Sequence, residues 1–432
     1  MEPFYMCLDE VGLMRDISAN PWAAKARALD RYRWLLLRER HGLLGSALRF
    51  FREVLKDWWF GWRARNCLIE SITTEPCDFL LLQSAPKMIK LRRNKLLKEG
   101  LCARGYNLVE AALEEPRTIL RKRLLKSPPY PVPTRYFGIA AYAEWMAAHY
   151  QPRALLNERN GSLYAPFLRL ALNARGGLLV HLAHATTVEG SRRLGMNDYD
   201  YYFLFGGSSL KALQARKLRF GTSTVVLAGS HMIDRAFDMP PASPNQRKIL
   251  VLGVGPDKEK EKAYRDAYAL VTRWAAENLE YKILVKCHPR SDTGLWQALT
   301  ISQNVTVLPA DIPLYKALGQ ASVVVSFMSN AVVEAGLARR PVIYVGAGDN
   351  VDIFEQERFF GCAVVNSRQI SERIEAIERN YYSCVRVAES FAAFHLAGGF
   401  DGLERTLLLL GALLSGENIS HNVKKALLYS TI

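Results

Sequence analysis

The chain has 432 residues, 57 Lys+Arg against 42 Asp+Glu, a formal net charge of +15 and 49% apolar residues. This balance excludes disordered, collagen-like and low-complexity classes, and at roughly 100–200 residues per domain the length implies two or three domains. The charge favours anionic partners such as phosphates, acidic glycans or anionic lipid, and says nothing about fold.

Seven cysteines stand at positions 7, 67, 77, 102, 287, 362 and 384, with no Cys-x-x-Cys pair. That spacing fits neither a zinc site nor a disulfide scaffold, so a reducing, cytoplasmic compartment is expected. No apolar run reaches the ~18 residues of a membrane span. The first 16 residues carry Glu2, Asp9 and Glu10 and lack a basic-then-apolar signal layout.

Residues 20–65 are rich in Arg, Leu and aromatics, with a break at His41-Gly42 and Gly45-Ser46, and read as two amphipathic helices. Residues 1–130 carry 24 Lys+Arg against 15 Asp+Glu, so the positive charge is concentrated at the front. Basic helices bearing Trp and Phe suit a membrane surface. The plainer alternative is a helix pair packing on the domain behind it. No helix-turn-helix, zinc-finger or RNA-recognition pattern points to nucleic acid.

From residue 77 strands and helices alternate. Strands are expected at 78–83, 153–157, 178–182, 201–205 and 224–228. Helices are expected at 87–100, 138–150, 163–174 and 210–216, with a proline-rich loop at 127–133. Residues 240–245 read as an interdomain linker. A second series follows, with strands at 248–253, 281–287, 305–308, 322–326, 342–345 and 363–365. Its helices are expected at 258–278, 313–320, 331–338, 371–381, 384–395 and 403–414. The expected domains are a helical extension over 1–75, an α/β domain over 76–240, a second over 246–400, and C-terminal helices over 401–432. Such alternation implies parallel sheets with covering helices, and ligands at the carboxyl ends of the strands in a cleft between the two domains.

Lys286-Cys287-His288-Pro289-Arg290 directly follows an apolar strand. His288 and Arg290 can both hold phosphate, Arg through its planar fork, and His can donate a proton to a leaving phosphate. Ser326-Phe327-Met328-Ser329-Asn330 lies between a strand and a helix, where Ser329 or Asn330 suits an N-cap beside an anion. Glu334, one turn further on, could accept hydrogen bonds from ribose hydroxyls. Gly253-Val254-Gly255-Pro256 permits close backbone approach but is neither a full dinucleotide fingerprint nor a P-loop.

These motifs resemble the donor domain of the GT-B glycosyltransferase superfamily, and most closely bacterial enzymes that build capsule, lipopolysaccharide and teichoic-acid-like polymers. His288-Pro289 and Ser326/Ser329 are similar to the His-Pro and serine motifs of sialyltransferases, Kdo transferases and polyglycerol-phosphate polymerases. The segment 326–345, with Glu334-Ala335-Gly336 and Arg340-Pro341-Val342, resembles the nucleotide site of the superfamily. Asn157-Glu158-Arg159-Asn160, His184 and Thr186 in Leu182-Ala183-His184-Ala185-Thr186, and segments 198–206 and 229–234 resemble the acceptor side. The match covers roughly residues 150–365.

The resemblance implies an α/β fold of two Rossmann-like domains facing across a cleft, with an N-terminal helical extension. It implies transfer of a sugar from a nucleotide donor, CMP-linked Kdo or sialic acid fitting the motifs, onto a surface glycan or lipid-linked glycan at the inner membrane face. His288, Pro289, Arg290, Gly253, Gly255, Ser326, Ser329 and Asn330 would hold the donor phosphate and Glu334 the ribose. His184 and Thr186 would contact acceptor or sugar. Transfer needs a carboxylate as base or nucleophile. Glu158 and Asp234 are the candidates, with Glu189 third, and His288 could act as the acid. The sequence departs from the sialyltransferase pattern in lacking the acidic triplet ending in Gly, and Ala183 replaces the Gln of a Gln-His-Gly-like turn. The resemblance, to a metal-independent GT-B enzyme, implies neither a metal nor another cofactor. Rival readings are polyol-phosphate transfer from a CDP-linked donor, a sugar-nucleotide epimerase, and a non-enzymatic polyanion-binding scaffold. The epimerase is disfavoured by the helical residues ahead of the first expected strand.

Overall fold

The structure, a computed structural model, describes residues 5–8, 20–90, 94–186, 191–291, 294–299 and 302–417. Its chain divides into two compact α/β units. The first takes residues 1–205, 209–232 and 403–432, and the second residues 206–208 and 233–402.

The first unit is built on a seven-stranded sheet. Its strands are β1 (Tyr5–Leu8), β2 (Phe79–Gln83), β3 (Leu108–Ala112), β4 (Ala154–Asn157), β5 (Leu178–Leu182), β6 (Tyr201–Leu204) and β7 (Ser223–Leu227). The order is β1-β7-β6-β5-β4-β2-β3, parallel throughout except for β1, which pairs antiparallel with β7. The central strands are near-continuous apolar runs because both faces are covered. The helix Gly402–Ser415 contributes Leu407, Leu409, Leu410 and Leu413 to one side of this core, beside Phe79, Leu81 and Leu156. The expected extension is therefore not purely helical, since β1 precedes it.

The helix Pro21–Arg38 buries Trp22, Ala26, Leu29 and Tyr32, and Trp22 stacks on Phe167 with centroids 5.8 Å apart. Trp22 and Tyr32 of this helix thus pack into the core, while Trp34 is half-buried against Phe50. The helix Leu43–Arg65 packs against Thr134–Tyr150, a helix buried along most of its length. Their approach is close because two glycines permit it. A Cβ on Gly61 would sit 1.7 Å from the Thr134 carbonyl oxygen, and one on Gly138 would sit 2.7 Å from the Phe60 ring. Buried Arg135 and Arg33 bridge to Asp57 in the same region.

The second unit holds a five-stranded parallel sheet of β8 (Lys248–Leu252), β9 (Lys282–Lys286), β10 (Val305–Val307), β11 (Val323–Ser326) and β12 (Val342–Tyr344), in the order β10-β9-β8-β11-β12. The chain starts at β8 in the middle, builds outward to β10, then returns to β11 on the other side. The order therefore reverses between β8 and β11, where open α/β sheets leave a crevice at their carboxyl edge. In the first unit the corresponding reversal lies between β2 and β4.

Several expected elements differ, and the described residues of the 87–100 helix fall in two, Pro86–Lys90 and Lys95–Ala103. The 258–278 helix is two, Pro256–Glu259 and Lys262–Glu277. Residues 363–365 contribute only a bridge, Val345 to Val364. The 240–245 linker holds the start of a short 3-10 turn, Pro244–Gln246, inside the second unit. Among the described residues no helix is long and apolar enough to cross a membrane.

Candidate functional site

In the second unit the registers bring the carboxyl ends of β9, β8 and β11 side by side. Leu252 pairs with Lys286 and Val251 with Val325. Gly253 thus sits between the His288 loop and the Ser326 loop, which lie two strand spacings, or about 10 Å, apart.

Glycine is required at 253: a Cβ there would approach the Cys287 Cα and the His288 nitrogen at 3.2 Å. The loops are clipped together by buried bonds. The Val254 N–H donates to the Tyr268 hydroxyl at 2.7 Å, and the Ser291 hydroxyl donates to the Val254 carbonyl at 3.2 Å. Gly255 faces the chemistry, since a Cβ there would lie 3.7 Å from the Arg290 guanidinium and 3.9 Å from His288 Nε2. The Arg290 N–H donates to His288 Nδ1 at 3.1 Å, which leaves the proton on Nε2. Burial, then the positive charges of Arg290 and Lys286, lower the His288 pKa, so the ring is neutral near pH 7 with Nε2–H offered beside Gly255.

On the other side of β8, Ser326 is fully buried, and its hydroxyl has no hydrogen-bond partner among the described residues. A buried polar atom left unpaired costs about 1–3 kcal/mol, so it needs an explanation. The Ala331 N–H donates to Ser329 Oγ at 3.4 Å, whereas the Asn330 side chain makes no capping bond. Of the two expected caps, Ser329 is therefore the one used. Glu334 is not a solvated glutamate. Its Oε2 is buried with no partner among the described residues, and burial raises its pKa from the usual 4.5 to about 7. Gly336 allows this helix, Ala331–Leu337, to seat closely on Tyr381–His395, because a Cβ would lie 2.6 Å from the Ala388 carbonyl oxygen. Gln356 is fully buried and donates from Nε2 to the Phe327 carbonyl at 2.7 Å. Its Oε1 is a further unpaired acceptor. The residues expected to hold a donor phosphate and ribose thus share one carboxyl edge.

The first unit places its candidates differently. Glu158 directly follows β4 at the strand-order reversal, is buried, and accepts from His231 Nε2 at 3.3 Å. His231 comes from the loop after β7, and sequence reasoning missed it, although its Gly229-Ser230-His231 segment had been singled out for resemblance. The Glu158 loop is held by His181, also missed because it lies within a strand. His181 Nδ1 accepts from Asn157 at 3.0 Å and Nε2 donates to Asn160 Oδ1 at 2.9 Å. Burial, with His184 nearby, lowers the His181 pKa to about 3, which keeps the ring neutral and stacked on Tyr199. His184 is half-buried and Thr186 buried just beyond β5.

Asp234 belongs to the second unit, where its carboxylate caps a 3-10 turn by accepting from the Ala236 N–H at 2.9 Å. Glu189 lies outside the described residues.

A groove of about 1220 Å³ opens in the first unit, between the two N-terminal helices and the loop that follows Glu158. Asn160 and Gly161 close one end. Arg40, Arg49, Lys56, Arg117 and Arg159 supply cations, and Leu36, Leu55, Trp59 and Ile139 supply apolar wall. Among the described residues no three His, Cys, Asp or Glu side chains gather as a metal site.

No protein-family model matches the chain, and no curated protein matches it by sequence. Solved structures do match. A Listeria monocytogenes protein assigned as a UDP-N-acetylglucosamine 2-epimerase is 12% identical over 80% of this chain and 98% of its own, with a TM-score of 0.52. A UDP-GlcNAc 2-epimerase from Neisseria meningitidis bound to UDP-GlcNAc aligns at 12% identity over 79% and 100%, TM-score 0.46. Acinetobacter baumannii MurG aligns at 13% over 78% and 99%, TM-score 0.43. The likeness to the Listeria structure establishes the fold as GT-B-like, with two Rossmann-like domains.

Proposed function

We propose that this chain is a nucleotide-sugar-dependent glycosyltransferase whose second unit binds the donor nucleotide. The observation that carries the reading is the carboxyl edge of β8, β9 and β11. Three buried polar atoms there, Ser326 Oγ, Glu334 Oε2 and Gln356 Oε1, lack partners among the described residues, on or beside the loop that faces His288 across Gly253. A ligand with phosphate and hydroxyl groups would satisfy such atoms. His288 Nε2–H and Arg290 would bind phosphate, and Glu334 would take ribose hydroxyls. His288 would stabilise the leaving phosphate without a metal. The His-Pro and serine motifs favour a cytidine-activated donor, with CMP-Kdo and CMP-sialic acid the first to test and a CDP-linked polyol as variant.

Glu158 is the proposed base. Its bond from His231 Nε2–H orients the carboxylate, and Glu158 itself takes the proton of an acceptor hydroxyl as its oxygen bonds to the sugar and the donor phosphate leaves. The amphipathic groove beside Asn160 and Gly161 favours transfer over epimerisation, because an epimerase needs no second substrate. The glycan acceptor would lie there. The second reading, a nucleotide-sugar 2-epimerase, is favoured by the Listeria fold neighbour.

One experiment separates the two. CMP-, CDP- and UDP-linked donors are incubated with the full chain, with and without a lipid-linked glycan, and followed by phosphorus and proton NMR. Acceptor-dependent nucleotide release supports transfer. Inversion of the sugar at C2 without an acceptor would replace it with epimerisation.

A further inference from the structure

We infer that the helix Leu43–Arg65 is a docking surface for an anionic lipid bilayer, lying along the interface rather than crossing it. The inference is independent of the nucleotide reading.

On this helix Leu44, Leu48, Phe51, Leu55, Trp58 and Trp62 are spaced 4-3-4-3-4. All six are exposed, Leu44 at 81%, Leu48 at 73% and Trp62 at 47%. At 3.6 residues per turn they form one stripe about 80° wide. The opposite face, through Ser46, Phe60, Gly61 and Ala64, is the one buried against the unit. The glycine contacts at Gly61 and Gly138 fix that orientation, so the stripe faces outward. Six exposed large apolar residues in one row exceed the scattered singles normal on a monomer surface. Trp58 and Trp62 are already stacked, with centroids 6.3 Å apart and planes 2° from parallel.

Charge decides the occupant. The helix carries Arg49, Arg52, Lys56, Arg63 and Arg65 against Glu53 and Asp57. Both acids are engaged by Arg33. Arg49, Arg52, Lys56 and Arg63 flank the stripe along one side and are exposed. A second copy of the chain seated on the stripe would bring like charges together. An anionic headgroup layer would neutralise them while the stripe enters the acyl boundary. Leu55, Lys56 and Trp59 also line the groove, so an acceptor carried in that bilayer would meet the groove at its wall.

The test is co-sedimentation of the full chain with vesicles of phosphatidylcholine alone and of phosphatidylcholine with phosphatidylglycerol. Binding to the anionic vesicles only, weakened by salt, is expected. Leu48→Glu with Trp62→Glu should reduce it more than tenfold. Arg52→Glu with Arg63→Glu should reduce it about fivefold per residue. Unchanged melting temperature and nucleotide-induced stabilisation in both pairs would establish that the fold and the nucleotide site are intact. Absence of sedimentation with anionic vesicles, equal binding to neutral ones, or undiminished binding by both variant pairs would overturn the inference. So would a dimer in solution that the Leu48→Glu, Trp62→Glu pair dissociates, which would assign the stripe to a second copy.

Discussion

The two sheets present their carboxyl edges in opposite states. In the first unit the polar groups there answer one another: Asn157, His181 and Asn160 form a chain, and Glu158 meets His231. In the second unit the same edge leaves Ser326 Oγ, Glu334 Oε2 and Gln356 Oε1 without partners among the described residues, and opens a glycine loop beside His288. Similar topology therefore carries two kinds of site. One is organised for holding a charged side chain in place. The other holds buried polar groups with no partner among the described residues. The strand-order reversal predicts where to look in both, and the hydrogen-bond inventory tells them apart.

The largest effect expected from breaking this contrast is at Glu158. Glu158→Gln keeps the size of the side chain but removes the base, and should lower turnover about 10²–10⁴-fold while leaving nucleotide binding unchanged. A variant that lost nucleotide binding instead would erase the division of labour. Next is His288→Ala, which removes the Nε2–H donor. Nucleotide affinity measured by calorimetry should fall at least ~10-fold, since hydrogen bonds to charged groups contribute about 1.5–3 kcal/mol.

Glu334 gives a pH signature. Its native pKa, about 7, lies above the ordinary 4.5, so the folded chain holds a proton that the unfolded chain releases earlier. The associated stability is fully present below pH 4.5 and lost as pH rises through 7. Glu334→Gln should flatten this part of the stability curve and raise the melting temperature at pH 8. It should also remove a rise in nucleotide affinity between pH 6 and 8 if ribose hydroxyls donate to the ionised carboxylate. The smallest effect is at Ser326. Ser326→Ala deletes an unpaired hydroxyl, so thermal stability should be unchanged or slightly higher. Nucleotide affinity should weaken by about 0.5–1.5 kcal/mol.

Much of the fold was legible because its central strands are uninterrupted apolar runs flanked by helices. The misses have local causes. β3 is a half-buried edge strand with Glu110 in its middle, and β1 has only four residues. The break near Lys260 carries no Gly or Pro to announce it. The second unit's candidate residues could be singled out because they sit in loops directly after strands. The cluster around Glu158 in the first unit could not, because His181 is a strand residue and the His231–Glu158 contact spans 73 positions. Membrane chemistry was read over both N-terminal helices, yet composition could not say that Trp22 and Tyr32 turn inward while Trp58 and Trp62 turn out.

The most direct test is thermal unfolding of the full chain with CMP, CDP, UMP, UDP, GDP and ADP, beside His288→Ala. A ligand at 100 times its Kd adds about 2.7 kcal/mol. Stabilisation of the wild-type chain by cytidine nucleotides, lost in His288→Ala, is the predicted result. Stabilisation by UDP or GDP alone would keep the site and change its donor. No shift with any nucleotide, or an equal shift in His288→Ala, would contradict the assignment of the second unit's carboxyl edge as a nucleotide site.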